Sequence, residues 1–461
     1  MNATDPQHDA IDDDLDDAIS RETMRAVAAA LDGANHDDLL FAIQEVHPAD
    51  IADLLEQLSA DERENFVKLA GSDLPVEMLA ELDEGVRDDV VDALEDDFLA
   101  EVVSDLDTDD AVYLLEDLDE ERKKDVLDAL PIVDRVAIER SLDYPEYSAG
   151  RMMQRDLVAA PPFWTVGQAI DMMRARDDLP SNFYEIIIVD PSHRPMGTIG
   201  LAKIMGSKRP ATLDGLMKKD FRSFNAIQPQ EDVAYSFNQY HLVSAPVTDE
   251  TGRLAGVITI EDAMQVLDEE TEEDLMRLGG VGDEDLSDTV FETTKQRLPW
   301  LVVNLLTAVI ASTIIAQFDV VIEQIVALAV LMTIVASMGG NAGTQTLTVA
   351  VRALATKDLT ATNASRIISR EAFVGVLNGV IFAIVTGSAT WWWYGDPTLG
   401  IVLGLAMIVN MLVAALAGIL IPLGLEKVGA DPALASAVFV TTVTDVVGFF
   451  AFLGLAAIVL L

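Results

Sequence analysis

The closing stretch PALASAVFVTTVTDVVGFFAFLGLAAIVLL (432–461) carries one charged side chain, Asp445. A run this long and this apolar reads as a membrane-spanning helix, and at roughly 1.5 Å per residue Asp445 falls near its middle. A carboxylate at that depth costs about 2.5 kcal/mol or more on insertion scales, and such residues mark ion or substrate paths. Asp445 therefore separates two readings of the whole C-terminal half, a passive anchor and a pore.

Working outward, four further apolar segments precede it, so that the spans read as about 299–318, 321–338, 370–394, 400–421 and 433–460. Directly after the second comes SMGGNAGTQT (337–346). Its glycines and polar side chains read as a broken helix whose carbonyl and amide oxygens suit a hydrated cation. A glycine-rich helix-packing segment is the competing reading. Arg352, Lys357, Arg366 and Arg370 lie between spans two and three, and Lys427 lies between four and five. The opposite connections, QFDVVIEQ and WWWYGDPTLG, have neither Lys nor Arg. The positive-inside rule then places the N-terminal half in the cytoplasm, the C-terminus outside and WWWY (391–394) at the outer interface of a plasma (inner) membrane protein.

The charge is divided unevenly. Residues 1–298 hold 25 basic and 70 acidic side chains, and the remainder holds 5 and 8. Such acidity argues against nucleic acid and anionic lipid surfaces as partners and favours cations. Adaptation to high salt explains the same excess, so a cation-specific role has to come from particular positions. The absence of cysteine excludes disulfides and thiolate metal sites. The N-terminus lacks the apolar core of a cleavable signal peptide. No nucleophile–base set or catalytic metal cluster stands out, so the chain does not read as an enzyme.

The expected architecture is multidomain. Residues 1–21 read as a disordered acidic tail. Residues 22–147 read as an α-helical, superhelical N domain, because HPADIADLLEQL, LPVEMLAELDEGVRDDVVDAL and LAEVVSDLDTDDAVYLLEDL repeat Leu, Val and Ile at helical spacing. Residues 148–268 read as an α/β tandem, with FYEIIIVD–MGTIG–LAKIM and SAPVTD–LAGVITI–EDAMQVL following one β-α-β-β-α pattern about 60 residues apart. The acidic run LDEETEEDLMRLGG belongs to a polar helix expected to continue from 262 to 298, its 269–298 part forming a long connecting (plug) helix, before an all-α transmembrane domain of five helices at 299–461.

The tandem resembles a pair of CBS domains through TVGQAIDMM, the run ending in VD, and GVITIEDAM. In that family a G-x-x-[ST]-x-x-D segment contacts a nucleotide ribose. Gly256, Thr259 and Asp262 match it in the second copy, with ATP as the nucleotide considered, whereas the first copy has Gly200 and Lys203 at the corresponding places. A helix N-cap with an acidic first turn accounts for the same residues.

HPADIADLL, the CBS pair, RLPWLVVNLLTA, MGGNAGTQT, VRALATKDL and DPALASAVFVTTVTDVVGF together resemble the MgtE family of magnesium channels and transporters, from about residue 25 to the C-terminus. The resemblance implies a homodimer in the lipid bilayer with a pore on its two-fold axis, in which Asp445 is the metal-facing carboxylate. It implies oxygens from Thr441, Thr442, Gly339, Gly340, Asn341 and Gln345 along the path. Thr344 departs from the Asn common in the family. Glu273 and Asp274, with Glu270 in the same run, match the family's sensor carboxylates. Mg²⁺ is then both cargo and regulator, its binding to the acidic N and CBS domains closing the pore. The alternatives are a broader divalent transporter (Co²⁺, Mn²⁺, Ca²⁺) and, from a different class, a membrane-anchored nucleotide sensor.

Overall fold

The computed structural model describes residues 19–116, 118–176, 179–180, 183–281, 290–433 and 436–461, so the acidic tail expected at 1–21 lies almost wholly outside the described residues. The chain divides into two compact units, Met1–Glu269 and Glu270–Leu461.

The first unit opens with short helices: α1 (Arg21–Gly33), α2 (His36–Ile43), α3 (Pro48–Glu56), α4 (Ala60–Ala70), α5 (Glu84–Ala93), α6 (Asp96–Asp105), α7 (Thr108–Glu116), α8 (Glu120–Ala129) and α9 (Ile132–Leu142). Their starts are written in the sequence. Asn35 accepts from the Asp37 and Asp38 N–H groups, Asp119 from Glu121 and Arg122, and Ser59 with Glu62 forms a capping box. One Leu/Val stripe per helix closes a continuous core that includes Val27, Leu39, Ile51, Leu55, Phe66, Leu99 and Val112.

The same unit continues as β1 (Ala159–Ala160), α10 (Val166–Ala175), β2 (Glu185–Val189), β3 (Pro195–Gly200), α11 (Leu201–Met205), α12 (Leu213–Leu216), β4 (Phe224–Asn225), α13 (Gln230–Tyr240), β5 (Ser244–Thr248), β6 (Leu254–Thr259) and α14 (Ile260–Gly279). Two three-stranded sheets, β1-β2-β3 and β4-β5-β6, have the same order. In each the first pair is parallel and the second antiparallel, with Ile187 opposite Thr198 and Val247 opposite Gly256. The duplicated pattern expected at 148–268 is therefore two copies of one topology.

The single polar helix expected over 262–298 is not what forms. Helix α14 stops at Gly279, where Gly280 takes φ +71° and the N–H groups of Gly280 and Val281 return to the carbonyls of Arg277 and Met276. This is a glycine C-cap, which ends a helix whatever the polarity around it. The next helix starts at Val290, and 282–289 lie outside the described residues.

The second unit holds α15 (Val290–Ala316), α16 (Asp319–Gln324), α17 (Ala327–Ala355), α18 (Ala364–Tyr394), α19 (Pro397–Val428) and α20 (Ser436–Val459). All but α16 are long and apolar enough to cross a membrane. The span expected at 321–338 is corrected. Residues 319–324 form a short separate helix, and α17 runs unbroken through SMGGNAGTQT to Ala355. A helix satisfies its own backbone in an apolar medium. The hydroxyls of Thr344 and Thr348 donate to the carbonyls of Gly340 and Thr344, so they need no break to be satisfied. Helix α19 is the most buried of the set, and Gly375 and Gly379 of α18 let its backbone approach within contact distance at Leu412 and Ile408.

Candidate functional site

Asp445 sits half-buried in the middle of α20. One turn earlier on the same face is Thr441, and a Cβ placed on Gly340 of α17 would lie 3.7 Å from the Thr441 methyl. Helices α17 and α20 thus meet at Gly340 and Thr441, with Asp445 just beyond. The Thr441 hydroxyl donates to the carbonyls of Ala437 and Val438, and that of Thr442 donates to Val438 at 2.6 Å. With their hydrogens committed to the helix, these oxygens have only lone pairs to offer outward. Asn341 lies on the exposed side of α17, and Gln345 follows it by one turn. Gln345 also lines a cavity of about 220 Å³ with Arg370, Glu371 and Asn378.

Gly339 has a different place from its neighbour. It is buried against Asn410 of α19, and a Cβ there would come 2.2 Å from the Asn410 amide nitrogen. A Cβ on Gly448 of α20 would come 2.9 Å from the same atom. Asn410 is fully buried, donates to the Val335 carbonyl at 2.7 Å, and keeps its own carbonyl oxygen buried without a partner. One polar side chain thus latches α19 to α17 at a notch that two glycines open. Gly343 completes the seam, its α-carbon facing Val440.

The second unit also carries the acidic end of α14. Glu270, Glu273 and Asp274 share that end with Arg277, which ion-pairs with Glu273 and with Asp431 of the α19–α20 loop. Burial first, then Asp431 and Glu270, push the Asp274 carboxyl up to about 6.

In the first unit the structure assembles a carboxylate cluster of which the sequence reading names only Asp262. Asp107, Asp109 and Asp110, at the start of α7, face Asp262 and Glu261 of α14, with Asp156 beside Asp107. Asp109 is only 7% exposed, and both its oxygens are buried without a hydrogen-bond partner. Burial, followed by Asp262, Asp110 and Asp107, drives its pKa well up. Asp110 is pushed up to about 7 by burial and by Asp262, Asp107, Glu81 and Glu261. One signal was available: Asp109 falls three residues before Val112 on the apolar stripe of α7, where a carboxylate is out of place. Further along α7, the Tyr113 hydroxyl donates to Glu269 at 3.1 Å, with the Arg87 guanidinium 3.6 Å over its ring. Thr259 donates to Asp262 at 2.8 Å through both its backbone N–H and its hydroxyl, which is the helix-cap arrangement. Among the described residues no three His, Asp or Glu side chains converge to hold a metal ion.

Comparison with known proteins agrees with this arrangement segment by segment. Residues 332–455 match the MgtE divalent cation transporter family, 46–147 its intracellular N domain, and 149–207 with 213–269 the CBS domain. A protein of Enterococcus faecalis named magnesium transporter MgtE is 31% identical over 320 residues, 69% of this chain and 71% of its own length. A namesake in Bacillus subtilis is 28% identical over 420 residues, 91% of this chain and 93% of that protein. A crystal structure described as the cytosolic domain of the Mg²⁺ channel MgtE in complex with ATP covers 53% of this chain and 99% of its own, at 24% identity and a TM-score of 0.49. The chain belongs to the MgtE family.

Proposed function

We propose that this protein imports Mg²⁺ across the plasma membrane as a homodimer, through a path lined by Asp445, and that cytosolic Mg²⁺ closes it. The observation that carries the reading is the face of α20. A lone mid-helix carboxylate follows two threonines whose hydroxyl hydrogens are already used. Mg²⁺ holds its waters tightly and travels most easily with them. Those waters point hydrogens outward, so the wall they meet must accept hydrogen bonds. Asp445, Thr441, Thr442 and the amide oxygen of Asn341 supply acceptors of that kind, and a second copy doubles the charge. Gly340 supplies the close approach at Thr441, Gly339 holds the notch under Asn410, and Gln345 extends the polar face.

Regulation follows from carboxylates that resist being charged together. Asp107, Asp109, Asp110 and Asp262 are crowded, the charged groups that raise Asp109 and Asp110 among the described residues are other carboxylates, and hard oxygen donors of this type fit Mg²⁺. So do Glu270, Glu273, Asp274 and Asp431. Bound Mg²⁺ favours the conformation in which each set is close, and its loss lets like charges separate, a population shift set by differential ion binding. The basic connections support an orientation with the N-terminal unit in the cytoplasm and the C-terminus outside. ATP at the CBS pair would have to displace the two bonds that Thr259 donates to Asp262 before either side chain could contact it.

Uptake into proteoliposomes tests the ion. Mg²⁺ entry above protein-free vesicles, with Ca²⁺ and Mn²⁺ entering at least tenfold more slowly, is the expected result. Equal entry of the three would favour the broader divalent transporter, and no entry of any would leave the anchored nucleotide sensor.

A further inference from the structure

Helix α14 ends beside the loop that leads into α20, and one basic side chain joins them. Arg277, in the last turn of α14, pairs with Glu273 one turn back and with Asp431 in the loop. The cation is well placed there, since a helix C-terminus attracts positive charge. Asp431 uses its other oxygen to accept the Ala433 N–H at 2.8 Å, so its carboxylate is fixed on the loop and does not wander. Next to Arg277, Leu278 packs against a cluster of Leu347, Val351, Ala433 and Val440, which holds this end of the helix in place. Arg277, Glu273 and Asp431 are each about one third exposed or less, so water screens the pairs only in part.

Glu273 and Asp431 are thereby occupied, while Asp274, between Asp431 and Glu270, is left among like charges. Any divalent ion that takes oxygens from Glu273 and Asp431 must first displace the guanidinium. We propose that Arg277 is a tethered competitor of the regulatory Mg²⁺, which sets the concentration at which the α14 end of the sensor fills. The inference rests on the regulatory reading above and adds to it the residue that tunes the threshold. Two effects follow from one side chain. While Mg²⁺ is absent, Arg277 keeps the end of α14 tied to the α19–α20 loop. As Mg²⁺ rises, the ion has to outcompete a cation held on the same helix at high effective concentration.

Limited proteolysis of the full-length protein in detergent, titrated with MgCl₂ at ionic strength matched by NaCl, reads both effects. Arg277→Gln is expected to lower the Mg²⁺ midpoint of protection about tenfold, equivalent to ~1.4 kcal/mol. It is also expected to reduce protection in Mg²⁺-free buffer. Arg277→Lys keeps a charge but loses the planar fork, and its midpoint is expected between the two, which covers the case in which the Gln variant fails to fold. A midpoint for Arg277→Gln equal to or above that of wild type overturns the proposal. So does a Lys variant indistinguishable from a folded Gln variant. A wild type that gains no protection from Mg²⁺ sinks the regulatory reading itself, a result distinguishable from a responsive wild type with an unresponsive substitution.

Discussion

The two acidic clusters of this molecule solve one problem in different ways. At the start of α7, the charged groups that shift Asp109 and Asp110 are all carboxylates, and two of those carboxyls are driven far up. At the end of α14, Arg277 lies among the carboxylates, and Asp274 is pushed only to about 6. A cluster without its own cation stays crowded until an ion arrives, whereas a cluster with one is partly satisfied beforehand. The first should respond steeply to protons and divalent ions, the second gently. Sharing one long acidic helix does not make the two ends equivalent.

The largest effect should come from neutralising the cluster that lacks a cation. Asp109→Asn replaces a buried ionisable carboxyl by a neutral group of the same shape, and it is expected to stabilise the Mg²⁺-free protein at pH 8 by roughly 1–3 kcal/mol. The stabilisation that wild type gains from millimolar Mg²⁺ should shrink in the variant. Denaturation with and without Mg²⁺ measures both, and a variant less stable than wild type in Mg²⁺-free buffer would break the comparison.

A comparable but opposite change is expected in the membrane unit, where no charge is involved. Gly339→Ala forces a methyl group against Asn410 and should cost about 1–3 kcal/mol by overpacking. Gly424→Ala, in open space on α19, should stay within about 0.5 kcal/mol of wild type. Combining Gly339→Ala with Asn410→Ala should recover part of the loss. Strict additivity in thermal unfolding would contradict the notch.

The pH dependence is a smaller effect with a definite sign. Asp110 is raised from 3.8 to about 7, so the folded protein holds a proton that the unfolded chain has released over that window. The stability it contributes is fully present below about 4 and is lost as pH rises through 7. The melting temperature in Mg²⁺-free buffer should therefore fall between pH 5 and pH 8, and saturating Mg²⁺ should flatten the slope. A rise over the same range would contradict the assignment. Smallest of all, Asp274→Asn should change Mg²⁺-free stability by under about 1 kcal/mol, because Arg277 already offsets its neighbours. A change as large as that of Asp109→Asn would erase the contrast between the clusters.

Much of the architecture was legible because periodicity and turn chemistry reported it independently. The duplicated strand pattern around FYEIIIVD and SAPVTD, the capped short helices and the five apolar runs all correspond to elements that form. The misreadings share a cause. GGNAGTQT reads as a break because glycine and polar residues weaken helices in water. In an apolar medium the helix is the cheapest way to satisfy a backbone, and its glycines make room for neighbouring helices, Gly339 for Asn410, Gly340 for Thr441 and Gly343 for Val440. The acidic run after Asp262 masked the stop at Gly279–Gly280, where a positive φ matters more than charge. Asp445 could be named because it stands alone in its segment, and Glu270, Glu273 and Asp274 only because their acidic run resembles that of the MgtE family. Asp109 and Arg277 could not, since their meaning depends on carboxylates that lie far away in sequence.

The most direct test of the central claim concerns Asp445 itself. Mg²⁺ uptake should be measured in proteoliposomes reconstituted at equal density with wild type and with Asp445→Asn, a change that keeps the size and removes the charge. The account predicts that the Asn variant falls to the level of protein-free vesicles while eluting at the wild-type position in size-exclusion chromatography. Uptake by the variant equal to that of wild type would contradict it.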